Sequence, residues 1–291
     1  MFFLDFLKKR RETKKILIIL GLVLILGAFL RLYKIGQQSF IADEFLGINA
    51  SYGYAQTGQW KFWDFNQGKL TEEDYTRANV YYWQVAQLWN WLDLGEGNSR
   101  LISVGWGLLG ILAVFGLVYY FFGSWQWAIL AALFLAVSPG ALTFDRKLRM
   151  YSMFAPVFLA FSLSLYLLLE SRAQKIPAQL KKIQEKTGLN FVFLPLVFLL
   201  GGLSLATHLL TVNIFPIVAA YLLTMAILSY WETGKLGNRY SVYLLSMAAV
   251  VLVAVQLKEI RDSLNFFSWV SNWSYFERSE EHTSELQSRQ S

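Results

Sequence analysis

Seven apolar stretches, each close to the length of a membrane crossing, constrain this chain more than anything else in it. They run from Lys15 to Leu32, Leu101 to Phe122, Trp127 to Phe144, Tyr151 to Leu169, Asn190 to Leu210, Thr211 to Tyr230 and Tyr240 to Leu257. A hydrocarbon core about 30 Å thick is crossed by a helix of roughly 20 apolar residues. Inside lipid the backbone must satisfy its own hydrogen bonds, so such stretches are expected to be helical. The fifth and sixth stretches are continuous in hydropathy, interrupted only by His208, Thr211 and Asn213. Together they are too long for one crossing, so a turn is expected there. Composition agrees: of 291 residues 55% are hydrophobic and 16% charged, against about 25% charged in soluble domains. The expected fold is an all-α polytopic membrane protein with about seven transmembrane helices. With no Cys in the chain, disulfide scaffolds, thiol chemistry and Cys-ligated metals are excluded.

The formal net charge is +6, and its distribution argues for topology rather than for nucleic acid. Lys8, Lys9, Arg10, Arg11, Lys14 and Lys15 precede the first span, and Arg172, Lys175, Lys181, Lys182 and Lys186 follow the fourth. Lys235 and Arg239 lie between the sixth and seventh, so thirteen of the 26 cations fall on one side. By the positive-inside rule that side is cytoplasmic. The protein is therefore expected in the cell (inner) membrane with a cytoplasmic N-terminus, its basic segments beside anionic membrane lipids. The segment Asp145-Arg146-Lys147-Leu148-Arg149-Met150-Tyr151 breaks that rule, placing three cations in a short external loop. They could pair with lipid phosphates or with Asp145. They could equally form a site for a phosphate, for which Arg supplies a planar fork and Lys a point charge.

Between the first two spans lies a long external loop, 31–100, too long for a simple connection. Thr71-Glu72-Glu73-Asp74 reads as the start of a helix, with a capping Thr and acids favourable on the dipole. Tyr75, Tyr81, Tyr82, Val85, Leu88, Trp89 and Leu92 behind it fit an amphipathic helix in the membrane interface. Asp43-Glu44 sits between apolar residues near the membrane surface, where adjacent carboxylates are costly unless paired or hydrogen-bonded. Asp43 could cap a helix running to about Tyr54, or the pair could be functional. His208 is the one histidine before the C-terminal tail, and at the end of a membrane helix packing is its ordinary role. Counting spans puts Asp43-Glu44, the basic loop, His208 and the segment Lys258 to Arg261 on the outer face.

In order and spacing, four features resemble the GT-C class of integral-membrane glycosyltransferases, with protein O-mannosyltransferases and aminoarabinose transferases nearest in pattern. They are Asp43-Glu44 after the first span, Ser99-Arg100-Leu101-Ile102-Ser103 opening the second, Arg149-Met150-Tyr151-Ser152 opening the fourth, and Ala206-Thr207-His208 near the end of the fifth. The resemblance covers residues 15 to 257. It implies transfer of a sugar from a polyprenyl-phosphate donor to a lipid, protein or glycan acceptor on the extracytoplasmic face. It assigns catalysis to Asp43 with Glu44 as its neighbour, and the donor phosphate to Arg149, then Arg100, Arg146 and Lys147 with Tyr151. Where relatives carry a His-Pro-Pro-like segment, this chain has Arg77-Ala78-Asn79-Val80-Tyr81-Tyr82. No metal and no cofactor are therefore expected, and His208 is kept only as a further site residue. A transporter or lipid flippase is the alternative, although it would favour mid-span charges and broken helices in paired halves.

The last fourteen residues, Arg278 to Ser291, abandon the membrane texture and resemble a translated sequencing adapter. The expectation is that residues 1–277 are the N-terminal part of a longer GT-C-like transmembrane domain, inactive by itself, and that 278–291 is a non-native tail.

Overall fold

A computed structural model describes residues 10–172, 177–235 and 237–256. The tail, Lys8, Lys9, Lys175 and the segment Lys258 to Arg261 lie outside them. The chain divides into two compact units, Met1–Ile214 and Phe215–Ser291.

In the first unit, α1 (Arg10–Leu32) leads to α2 (Ala42–Thr57), a hairpin of β1 (Lys61–Asp64) and β2 (Lys69–Asp74), and α3 (Asn79–Leu88). The helices α4 (Glu96–Phe122), α5 (Trp125–Val137), α6 (Pro139–Asp145) and α7 (Tyr151–Glu170) follow. The polar helix α8 (Ala178–Thr187) and a short 3-10 turn lead into α9 (Leu194–Thr207), and a second 3-10 turn (Leu209–Asn213) ends the unit. The second unit contributes α10 (Ile214–Thr233) and α11 (Arg239–Gln256).

Four segments are helical, long and apolar enough to cross a membrane: Thr13–Leu32, Glu96–Phe122, Tyr151–Glu170 and Leu209–Thr233. Two bent pairs, each either a broken span or a re-entrant loop, bring the count to as many as six. The third sequence span is one of them, broken by 60° where α5 gives way to α6. Pro139 supplies no N–H there, and Ser138 Oγ accepts the Ala141 N–H at 3.4 Å to start the new helix. The other turns 107° between α8 and the segment Phe191–Thr207. The described part of α11 is a shorter apolar helix, Arg239–Leu252. Apolar side chains such as Ile18, Leu22, Ile25, Phe198 and Leu199 are exposed along α1 and α9, as lipid-facing surfaces require. The turn expected near His208 is present, with His208 extended at φ −157° and ψ 140°.

Small residues let the spans approach. Ala128, Ala132 and Ala136 on α5 are fully buried, and Leu20, Val23 and Ile111 pack around them. At the end of this contact Arg31 is fully buried, its Nε donating to Asp145 Oδ2 at 2.9 Å and its Nη1 to the carbonyls of Gly27 and Ala136. Gly107 of α4 faces the pair, and a Cβ there would collide with the Asp145 carboxylate and meet Arg31 Nε at 2.9 Å. Only a glycine lets α4 close over this ion pair.

The loop 31–100 departs from its sequence reading. Thr71 to Asp74 lie in β2, paired with β1, and the helix begins only at Asn79. Four of the seven residues read as an interfacial face are packed inside instead. Tyr75, Tyr81, Tyr82 and Val85 are buried in one core with Ile48, Leu148 and Met153. The loop folds onto the membrane helices as a cap, and its polar handles find partners as buried aromatics require. Tyr81 OH and Ser103 Oγ share a hydrogen bond of 2.5 Å, and Ser103 Oγ donates to the Lys147 carbonyl. Trp89 Nε1 donates to Ser99 Oγ at 3.1 Å, and Trp106 Nε1 to Gln84 Oε1 at 2.8 Å.

Candidate functional site

The two carboxylates of Asp43-Glu44 occupy the first turn of α2, and that turn sends them in different directions. Ile41, not Asp43, holds the capping position, and Glu44 reaches back to accept the Ile41 N–H at 3.1 Å. Its side chain is fully buried. Glu44 Oε1 also accepts Arg100 Nε at 2.9 Å and the Leu148 N–H at 2.6 Å, while Oε2 accepts Arg100 Nη2 at 2.8 Å. Arg100 is equally engaged. Its Nη1 donates to the carbonyls of Ile35 and Gln38, both at 2.8 Å, and its Nη2 to Ser39 O at 3.2 Å. Five donors meet five acceptors, which is the whole capacity of a guanidinium. This bidentate pair joins α2, α4, the segment after α1 and the segment before α7.

Burial by itself pushes the Glu44 carboxyl upward, but the Arg100 hydrogen bonds and the Leu148 and Ile41 amides outweigh it, and the net shift is downward. A carboxyl lowered on folding stabilises the fold fully above its unfolded value, near 4.5, and that contribution fades as pH falls through the folded value. Thermal unfolding in detergent is therefore expected to lose stability on acidification below about pH 4.5. Glu44→Gln is expected to start from a lower midpoint and to lack this part of the acid dependence. An identical acid profile in the variant would contradict the assignment.

Asp43 points elsewhere, its side chain 62% exposed. Arg149 Nη1 lies 3.2 Å from its Oδ2 and donates to its backbone carbonyl at 3.2 Å. The guanidinium also sits over the Tyr151 ring, 5.5 Å from its centroid. Tyr151 in turn lies 5.1 Å from the His208 ring, and Phe154 closes its other edge at 5.4 Å. One cluster thus gathers Asp43 from α2, Arg149 and Tyr151 from the start of α7, and His208 from the break after α9. His208 Nδ1 accepts the Leu210 N–H at 3.0 Å, which places the ring proton on Nε2. Burial first and the charge of Arg149 second lower its basicity, so the ring is neutral at neutral pH.

Tyr82 belongs to the same cluster and was not among the sequence candidates. It feels the charges of Arg149 and Asp43, and burial raises its hydroxyl above the ordinary tyrosine value. Its ring fills the space a side chain at Gly47 would need, with Tyr82 OH only 2.9 Å from a Cβ built there. Gly47 lies four residues after Asp43, on the same helical face. That spacing is the only sequence signal for the tyrosine, and it names no partner.

The remaining cations of the basic loop go their own ways. Asp145 pairs with Arg31 rather than with its neighbours. Arg146 donates to the Leu30 carbonyl at 2.9 Å and the Tyr33 carbonyl at 2.8 Å, capping the C-terminal end of α1. Lys147 offers its carbonyl to Ser103 and lines a cavity with Lys34, Arg100 and Arg146. A larger hollow of about 580 Å³ between α4 and α5 is lined by apolar side chains such as Val118, Phe122 and Trp127, with nothing to perform chemistry. Among the described residues no group of three or more His, Cys, Asp or Glu lies close enough to hold a metal ion. No family model, no curated protein and no solved structure matches the chain.

Proposed function

We propose that the cluster of Asp43, Arg149, Tyr151, His208 and Tyr82 transfers a sugar from a polyprenyl-phosphate donor to a lipid, protein or glycan hydroxyl on the extracytoplasmic face. One observation carries the reading: an exposed carboxylate held 3.2 Å from a guanidinium, at the mouth of helices apolar enough to keep a lipid-linked substrate within reach. The acceptor oxygen forms a bond to the anomeric carbon as the carbon–oxygen bond to phosphate breaks. Its proton passes to the Asp43 carboxylate, and the bonding pair leaves with the phosphate. Arg149 orients Asp43 before reaction and offers its other N–H groups to the phosphate as charge develops there. The neutral His208 donates through Nε2–H, and the buried Tyr82 packs against the Asp43 helix at Gly47. Glu44 and Arg100 have no free lone pair or donor for a substrate, so both position the site.

Asp43→Asn in the full-length protein, assayed in membranes with a labelled polyprenyl-phosphate sugar, is expected to reduce transfer by about 10²–10⁴-fold. Thermal unfolding should stay unchanged, because the side chain is exposed. A wild-type rate in that variant would remove Asp43 as the base.

A further inference from the structure

The cavity beside Lys147 has no part in the chemistry above. It encloses about 310 Å³ and is lined by Lys34, Ile35, Gln38, Arg100, Leu142, Thr143, Arg146 and Lys147, but by no Asp or Glu and by none of the Asp43 cluster. That volume lies at the lower end of ligand pockets, about 300–1,000 Å³, and suits a head group more than a large solute.

The charges around it do not balance. Arg100 is neutralised by Glu44. Lys34, Arg146 and Lys147 have no carboxylate within 4.0 Å among the described residues. Arg146 uses two of its five N–H groups on the α1 carbonyls, which leaves three. Lys34 is held at φ 56°, a left-handed conformation that costs a non-glycine residue free energy and persists only where its surroundings impose it. The turn it makes brings the Ile35 and Gln38 carbonyls onto Arg100 and leaves Lys34 itself at the cavity wall. Three cations without a carboxylate partner line one polar hollow at the ends of two apolar helical segments. An anion seated among them would offset their like charge.

We propose that this cavity is a second anion site, which holds the phosphate of a membrane lipid. Lys34 and Lys147 act as point charges and Arg146 as the planar fork. Leu142 and Thr143 from α6 line its wall, so the acyl or isoprenoid chain continues along the lipid-facing side of the spans. The proposal does not rest on sugar transfer.

The test is lipid binding by the full-length protein in nanodiscs, read by native mass spectrometry and by thermal midpoint. Three probes are used: a phosphatidylglycerol-type phosphodiester, a polyprenyl monophosphate and inorganic phosphate, with phosphatidylcholine as the neutral reference. Either anionic lipid is expected to bind above the reference, and Lys34→Gln/Lys147→Gln to weaken it on the order of 30-fold, from about 1 kcal/mol for each basic residue near an anionic lipid. Asp43→Asn should bind the same lipid unchanged, which separates this site from the transfer site. Whichever of the two lipids shows the lysine dependence identifies the source of the phosphate. Lysine-independent binding of both would overturn the proposal. So would inorganic phosphate stabilising the protein as strongly as the lipids do.

Discussion

Replacing Arg100 by Met is expected to lower the stability of the protein by about 3–5 kcal/mol, the cost of leaving a buried carboxylate without its partner. Glu44 would retain the Leu148 and Ile41 amides but lose both guanidinium bonds. The carbonyls of Ile35, Gln38 and Ser39 would lose their donor at the same time. A lower thermal midpoint in detergent, or loss of folded protein at expression, is the readout. The double variant Glu44→Met/Arg100→Met removes the uncompensated charge, so it should cost less than the sum of the single variants. It should not return to wild type, because five backbone groups stay orphaned, each at about 1–3 kcal/mol when buried. A double variant as stable as wild type would show that the pair is dispensable.

Arg149 carries the opposite expectation. Its ion pair is with an exposed aspartate, and such pairs contribute only about 0.2–1 kcal/mol. Arg149→Ala should therefore unfold close to wild type while transfer falls by about 10²–10³-fold, as when a group that stabilises developing charge is removed. Arg149→Lys keeps the charge but loses the planar group that meets the Asp43 carboxylate and backbone carbonyl and stacks on Tyr151. It should recover part of the rate and not all of it. A stability loss like that of Arg100→Met, with transfer in proportion to folded protein, would make Arg149 structural and move the site elsewhere. The two arginines stand alike in the sequence, each opening an apolar span after a polar segment. In the fold one is spent wholly on the chain and the other stays partly exposed beside Asp43.

The adjacent acids show why so little of this could be read beforehand. Asp43 and Glu44 differ by one residue, which on a helix turns the side chain by about 100°. Which direction faces Arg100 and which faces solvent depends on where α4 stands. Likewise the run behind Asp74 has the texture of an interfacial helix, yet the hairpin before it and the core beneath it use the same tyrosines as packing. Amphipathic aromatics suit a protein core and a membrane interface equally, and only the neighbouring element decides between them. The bend after α5 falls inside what hydropathy reads as one span, with Pro139 as its local cause, whereas the break at His208 follows from the length of the apolar run.

The sequence by itself determined the long apolar helices, although four to six of them, not seven, are long enough to cross a membrane. Those depend on hydropathy over about 20 neighbouring residues and on the backbone's need to satisfy itself in lipid. It also set the basic segment before α7 against the positive-inside expectation. Only the tertiary structure decided what each of those charges does: Asp145 to Arg31, Arg146 to the end of α1, Arg149 to Asp43, and Lys147 to a basic cavity. A long cationic side chain reaches several possible partners. Which one it meets is set by which helix ends are packed together, and that is a property of contacts more than a hundred residues apart.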